Sequence, residues 1–565
     1  MLRTMLSKSP RDASGRFLLA QVLLSNKKLE ESLSQLDQLL REFPGHLQAT
    51  LERGTVLSRL SRHDEAIRVL SQLAEKYPKV HQIHVRLTIA IYNSGRMLDA
   101  LAAAQRAKAH ATSQAESIDA SGHLIKILGS AGMLNEATAE VASIHALSGG
   151  ELKVSMTYSF LTNYSDELSA ADIFGIHQSI TKAHAKTVTL PPAQCDRSPD
   201  RRLKIAFVSP DLREHSVPYF LRPLLRHLPR DQFQIYCYSA GFVTDHVTAE
   251  LEKLSDVFRD VRSLNDAQLA SLIRQDQIDI AIDIAGLCTN SRITAFALAP
   301  APVQLSWCGY PNTSGTPHIG YRFVDQLTDP DWSDALHTEK LVRLPGCFLC
   351  FDPGPFPPIA PLPDGPIVFT SFNAPNKLSP STADLWSKVL QAIPGSKLQL
   401  KGPPFSHAQV RERYMKLFVD RGAPADAIRI VGSTPDRASH LAMYSQTHIG
   451  LDPFPYNGTT TTCEALAMGV PVITFALDSR RDRHAARVGR SLLTAAGLTE
   501  LIAESPDDFV TLCRELAADR PRLAQYRSTL RDQLLASSLC NQPAFAANFA
   551  AALRSCWQTY VSSNT

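Results

Sequence analysis

The sequence predicts a solenoid of paired helices followed by two open, parallel α/β domains. Three observations carry that expectation. A 34-residue period runs through the first quarter of the chain, short apolar strand-like runs alternate with helical segments after Arg202, and a Pro-rich stretch, FDPGPFPPIAPLPDGP (351–366), divides those runs into two sets. At 565 residues the chain is too long for a single hydrophobic core. Its 58 Lys and Arg against 55 Asp and Glu leave no global field to attract nucleic acid or an anionic membrane, so neither is expected as a partner.

The period comes first. Pro10, Pro44 and Pro78 are each 34 residues apart, and Ser32, Ala66 and Ala100 repeat at the same interval. Within a unit the apolar residues recur at helical spacing, as in Phe17, Ala20, Leu23 and Leu24 followed by Leu29, Leu33, Leu36 and Leu40. A helix pair with a small residue in its second helix and a closing Pro resembles the tetratricopeptide repeat. A fourth, degenerate unit is expected because Gly132 and Ala137 lie 37 residues after Gly95 and Ala100, with no Pro near 112. Stacked pairs form a concave surface suited to extended polypeptide, which points to a protein partner. FLLAQVLL, broken by Gln21, belongs to this pattern and is too short to span a bilayer. Residues 1–150 are therefore assigned to repeats, and 151–200 to a helical linker ending in TLPPAQCDRSPD.

The α/β region follows. LKIAFVS (203–209), FQIYCYS (233–239), IDIAIDI (278–284) and VQLSW (303–307) are strands of a first set; IVFTSF (367–372), KLQL (397–400), IRIVG (428–432), HIGLD (448–452) and PVITF (471–475) form a second. Continuous apolar strands alternating with helices argue for parallel sheets covered on both faces. The domains are drawn at 201–358 and 359–540, with a terminal helix over 541–565. Ligands of such sheets sit beyond the carboxyl ends of the strands, so both halves should face one cleft. No GxGxxG or GxxxxGK[ST] occurs, which weakens dehydrogenase and P-loop assignments.

The chemistry-bearing residues gather in the second half. In LDPFPYNGTTTTCEALAMGVPVIT (451–474), a helix should begin within Thr459–Thr462 and end at Gly469. Thr461 to Glu464 fits a capping box. The further hydroxyls beside unpaired amides would cradle a diphosphate. Lys377, in the turn after the first strand of this half, could neutralise the same diphosphate. His215 follows Ser209-Pro210-Asp211 in the first half, and an imidazole there could accept a hydroxyl proton. GYPNTSG (309–315), with Gly309, Tyr310, Pro311, Thr313 and Gly315, should line the cleft. Ten scattered cysteines show neither a disulfide framework nor zinc spacing, Cys347 and Cys350 being the sole close pair; a reduced, cytoplasmic compartment and no metal are expected. Asp329-Pro330-Asp331 spells an acidic metal motif but sits in a turn. Arg480, Arg481 and Arg483 read as a solvated helix start, with a donor or acceptor contact as the alternative.

SPDLREHSVPYF (209–220), APAPVQLSWCGYPNTSG (299–315), RLPGCFLC (343–350), SFNAPNKLSP (371–380) and the threonine segment together resemble the protein O-GlcNAc transferase family. The short hinge between the halves is similar to compact bacterial members, where animal members carry a large insertion. The resemblance implies an α-helical tetratricopeptide-repeat solenoid followed by an α/β GT-B catalytic core of two Rossmann-like domains. It further implies inverting, metal-independent transfer of N-acetylglucosamine from UDP-GlcNAc to protein Ser or Thr hydroxyls, with no cofactor beyond the nucleotide-sugar donor. In that family the position of Lys377 contacts the diphosphate and the positions of Thr460 and Thr461 bind its oxygens. The position of Glu464 bonds the ribose, that of His440 packs against the base, and that of His215 is a disputed candidate for the base catalyst. Thr459 replaces a family histidine, and Asp279 stands where a second family histidine would be. TTTTCE, HSVPYF and GYPNTSG are nearer to the SPINDLY-type O-fucosyltransferases, which use GDP-fucose, so the donor stays open. An inactive repeat scaffold is the third reading. The acceptor is expected to be a protein or peptide bound along the repeat groove and the cleft.

Overall fold

The computed structural model of the protein describes residues 4, 6–7, 9, 11–149, 152–184, 195–288, 290–476 and 482–563, with the backbone alone at 152, 153, 183 and 184. The chain forms two compact units, residues 1–149 with 404–414, and residues 150–403 with 415–565.

The first unit is built of helix pairs: Ala13–Ser25 with Leu29–Glu42, Leu47–Arg59 with His63–Lys76, His81–Asn93 with Met97–Ala109, and Gln114–Ser130 with Leu134–Leu147. Ser32, Ala66, Ala100 and Ala137 are all fully buried, which explains their small size: each lies where the helices of a pair approach. Ser32 satisfies its hydroxyl on the Ala20 carbonyl at 2.7 Å. The 37-residue spacing of the last pair has a plain cause, because its first helix has 17 residues where the preceding pair's has 13. Pro10 lies outside the described residues.

The turn inside each pair passes through one left-handed residue: Lys27 (φ 60°), Ser61 (φ 61°), Gly95 (φ 84°) and Gly132 (φ 73°). Only glycine adopts this region without cost. Ser61→Gly is therefore expected to stabilise the protein by about 0.5 kcal/mol, read as a raised denaturation midpoint; an unchanged or lowered midpoint would refute the strain.

The second unit holds two wholly parallel sheets. The first contains β1 (Leu203–Ser209), β2 (Phe233–Ser239), β3 (Val257–Asp260), β4 (Ile280–Asp283), β5 (Val303–Ser306), β6 (Tyr321–Val324) and β7 (Lys340–Arg343), in the order β3-β2-β1-β4-β5-β6-β7. The second contains β8 (Val368–Ser371), β9 (Lys397–Lys401), β10 (Ile428–Val431), β11 (Ile449–Leu451), β12 (Val472–Phe475) and β13 (Ile502–Ala503), in the order β10-β9-β8-β11-β12-β13. β1 and β2 pair in register from Leu203 opposite Phe233 to Ser209 opposite Ser239, and both are buried almost throughout. Each sheet reverses its winding once, between β1 and β4 and between β8 and β11. Loops leaving the carboxyl ends at such a reversal splay apart and leave a crevice.

Residues 152–184, within the span assigned to a helical linker, form helices Leu152–Thr162 and Ala170–His184, which are part of the second unit. The terminal helix, Gln542–Ser563, returns to the first sheet, where Phe549 meets Trp307 edge-on at 5.1 Å and Phe323 at 4.9 Å. The Pro-rich hinge is held by hydrogen bonds, including Arg437 to the Pro355 carbonyl and Arg531 to that of Pro357.

Residues 404–414, which follow β9, complete the first unit. Phe405 and Tyr414 are buried there, edge to face at 5.0 Å. The Leu98 amide donates to Gln409 Oε1 at 2.6 Å, and the Tyr414 hydroxyl occupies the space that a Cβ at Gly132 would need. Among the described residues no helix is long and apolar enough to cross a membrane, and all ten cysteines are free thiols.

Candidate active site

The loops after β1, β5, β8 and β11 converge on a cavity of about 780 Å³, within the size of pockets that hold a nucleotide-sized ligand. Its lining includes His215, Gly309, Pro311, Lys377, Thr459, Thr460 and Thr461, together with His484, which the sequence did not single out.

The threonine segment is shaped by one carboxylate. Asp452 accepts the Gly458 amide at 2.6 Å and the Thr474 hydroxyl at 2.7 Å, which folds the turn between β11 and the following helix. That helix runs Thr460–Ala467 with Thr459 at its cap position and no side-chain cap bond. The expected Thr461–Glu464 capping box does not form, because the helix begins before Thr461 and Glu464 falls in its second turn. Thr461 instead donates to Asn373 Oδ1 at 2.8 Å. The Thr460 hydroxyl is buried with no hydrogen-bond partner. A buried hydroxyl left unpaired beside free helix amides is a costly arrangement unless an anion completes it.

Lys377 stands over this helix start. Its Nζ donates to the Asn457 carbonyl at 2.6 Å and lies 4.3 Å from the centre of the Tyr456 ring, itself stacked on Tyr164 at 4.8 Å. Burial lowers the ammonium pKa to about 8, partly offset by the nearby Asp452 carboxylate, and raises Asp452 to about 7.

The GYPNTSG loop divides. Gly309 and Pro311 line the cavity, but Tyr310, Thr313 and Gly315 do not. Tyr310 turns inward, donating to His177 Nε2 at 2.6 Å and accepting from Asn163 at 3.0 Å. His177 is fixed as the acceptor because its Nδ1 donates to the Ile173 carbonyl, and burial takes its pKa down to about 4. Thr313 and the Ser314 amide bind the two oxygens of Glu339, while the Gly315 carbonyl accepts from Thr181. Tyr310 and Gly315 brace the loop against Ala170–His184, and Thr313 ties it to Glu339 just before β7; a Gly/Pro pattern shows a turn but not which side its side chains take.

His440 and Glu464 also lie off the cavity lining. Lys401 donates to His440 Nδ1 at 2.8 Å, so Nε2 carries the proton and gives it to Glu464 at 3.2 Å. The ring packs on Phe372 and Tyr444, with centroids 5.7 and 5.9 Å away, and Arg437 reaches Glu464 at 3.7 Å. Burial lowers the Lys401 pKa.

The model of the family described as Glycosyl transferase family 41 matches residues 153–354 and 359–549. The chain belongs to glycosyl transferase family 41. A second model, Bacterial transcriptional activator domain, matches residues 21–120, within the helical repeats. The family-41 chain is 38% identical over 372 residues to an Arabidopsis thaliana protein named probable UDP-N-acetylglucosamine–peptide N-acetylglucosaminyltransferase SPINDLY, covering 64% of this chain and 40% of that one. It is 27% identical over 377 residues to the Arabidopsis thaliana protein of the same description named SEC, covering 64% and 38%. The chain thus spans about 40% of the length of the curated relatives it matches. Among solved structures, a Thermobaculum terrenum O-GlcNAc transferase mutant superposes with a TM-score of 0.81 at 31% identity, covering 92% of this chain and 98% of that one.

Within this family-41 site, the depressed Lys377 pKa has a definite sign. The side chain is cationic below about pH 8 and loses its charge above it. An anion bound beside it favours the protonated form. Nucleoside diphosphate affinity is expected to fall above pH 8, with proton uptake on binding near pH 8.5. Titration calorimetry in buffers of different ionisation enthalpy measures both; the dependence should vanish in Lys377→Met.

The sequence-singled residues outside this cavity are placed as follows. Asp331 is exposed and Asp329 is buried, so their carboxylates do not converge. Arg483 is buried, donating to the Leu168 and Ser165 carbonyls rather than to water; Arg480 and Arg481 lie outside the described residues.

Proposed function

We propose that the chain transfers N-acetylglucosamine from UDP-GlcNAc to Ser or Thr hydroxyls of proteins, with inversion at the anomeric carbon. The observation that carries this reading is the unpaired, buried Thr460 hydroxyl at a helix start in the same cavity as Lys377. Thr459, Thr460, Thr461 and the helix amides would take the diphosphate oxygens, and Lys377 would carry the charge that develops on the leaving group. Positive charge is thereby supplied by the protein, and the proposal asks for no metal or other cofactor. Glu464 and His440, already hydrogen-bonded to each other, would hold the ribose and the base. The family and the likeness to the Thermobaculum terrenum enzyme support the same chemistry. The helical repeats offer a surface for an extended acceptor polypeptide, and free thiols throughout fit the cytoplasm.

One observation favours a second donor. TTTTCE, HSVPYF and GYPNTSG are nearer to the SPINDLY-type pattern, which keeps fucosyl transfer from GDP-fucose as the alternative, although the SPINDLY-named relative at 38% identity and the SEC-named one at 27% are both named for UDP-N-acetylglucosamine. Calorimetric titration with UDP and with GDP, followed by transfer assays on a peptide library, tests both. Preference for UDP and GlcNAc on peptide hydroxyls supports the first; preference for GDP moves the reading to fucose; binding of neither leaves an inactive scaffold.

A further inference from the structure

We propose that His484, oriented by Asp329, is the group that takes the proton from the attacking acceptor hydroxyl. This rests on the transferase reading above.

Asp329 is fully buried and accepts a hydrogen bond from His484 Nδ1 at 2.6 Å. A carboxylate has no proton to give, so Nδ1 must carry one, and Nε2 is left as the ring's basic nitrogen. Burial alone would raise the Asp329 pKa. The imidazoles of His484 and His337 and the Arg322 guanidinium outweigh it and hold the group well below the usual carboxylate range. The ring is clamped edge-on by Phe348 at 4.9 Å and stands at the first position of helix His484–Ala495. His484 lines the same cavity as Lys377 and the threonines. A base held in one tautomer by a buried acid is the arrangement that acid–base catalysis requires.

The rival imidazole has the opposite tautomer. The Val217 amide donates to His215 Nδ1 at 3.4 Å, so the proton of neutral His215 sits on Nε2, and the Asp211 carboxylate is 4.0 Å from Nδ1. His215 can donate a hydrogen bond into the cavity but presents no free lone pair there. Asp211, the carboxylate among the described lining residues, is paired with Arg213 at 3.3 Å.

The step balances as follows. The Ser or Thr hydroxyl proton passes to His484 Nε2 while its oxygen bonds to the anomeric carbon. The bond from that carbon to the β-phosphate oxygen breaks, and its electron pair leaves with the nucleoside diphosphate beside Lys377. The imidazolium, paired with Asp329, then releases the proton to water.

His484→Asn tests it, because the amide can still donate to Asp329 while the basic nitrogen is gone. Turnover on a Ser peptide should fall on the order of 10²–10³-fold, with UDP and GDP affinity and melting midpoint unchanged. Transfer to a Cys peptide at pH 8.5, where the thiolate needs no base, should be spared. Turnover on Ser within threefold of wild type, equal loss on Ser and Cys, or a loss confined to nucleotide affinity would each overturn the assignment. If the variant melts early, Asp329→Asn, whose amide can donate to Nδ1 and move the ring proton to Nε2, should show the same Ser-against-Cys split. A wild-type protein that transfers no sugar would defeat the transferase reading itself, whereas active wild type with an indifferent His484→Asn defeats only this step.

Discussion

Lys377→Ala is expected to reduce turnover on the order of 10³-fold. The ammonium is the cation lying above the threonine helix start, 2.6 Å from the Asn457 carbonyl and over the Tyr456 ring. In the proposed ground state the helix amides would already share the diphosphate charge. As the glycosyl bond breaks, the bridging oxygen gains a further charge that alanine cannot answer, so the loss should fall mainly on kcat and less on donor affinity. Lys377→Arg should rescue little, because a planar fork does not fit a point contact roofed by a tyrosine ring. Single-turnover measurement with saturating donor decides the matter. A variant that keeps kcat and loses only affinity would show that Lys377 serves binding alone.

Gly309→Ala should be the most damaging small substitution in the cavity wall. A Cβ at Gly309 would lie 1.9 Å from the Ile284 carbonyl oxygen and 2.5 Å from its carbon. Both are backbone atoms at the end of β4, so no rotamer change relieves the clash. The loop would have to lift off the sheet, taking Pro311 and the cavity wall with it, at a cost of about 3 kcal/mol. Denaturant unfolding should show that loss together with weakened nucleotide binding. Gly122→Ala is the matched control: nothing lies within 4 Å of its Cβ, and it sits inside helix Gln114–Ser130, where alanine is preferred. Gly309→Ala as stable as wild type would mean that the close approach is not enforced.

LKIAFVS and FQIYCYS coincide with β1 and β2 to the residue, since a strand covered on both faces is written as an unbroken apolar run. β3 (VFRD) and β7 (KLVR) escaped notice because they are the edges of the first sheet, where charged side chains reach water. β6 (YRFV) escaped for a different reason: Arg322 is buried, giving its guanidinium to the Tyr310 carbonyl at 2.6 Å, and no local pattern tells a buried arginine from a solvated one. At the site, the motif-bound residues Lys377 and Thr459–Thr461 were visible through their spacing and resemblance. The His484–Asp329 pair was invisible, since its members are 155 residues apart and Asp329 sits in a D-P-D turn that reads as surface. Tyr310 and Thr313 were assigned to the cavity because a turn motif gives position but not the direction of its side chains.

The first unit draws its last segment, 404–414, from the turn after β9 and the first half of helix Ala408–Val419. During synthesis the helix pairs leave the ribosome before the sheets, and Phe405 and Tyr414 are made only after the first sheet and strands β8 and β9 of the second. At roughly 5–20 residues per second the repeats wait tens of seconds for that segment. Over that interval Gly132 faces an empty place where the Tyr414 hydroxyl will sit. The order of manufacture therefore differs from the order of completion.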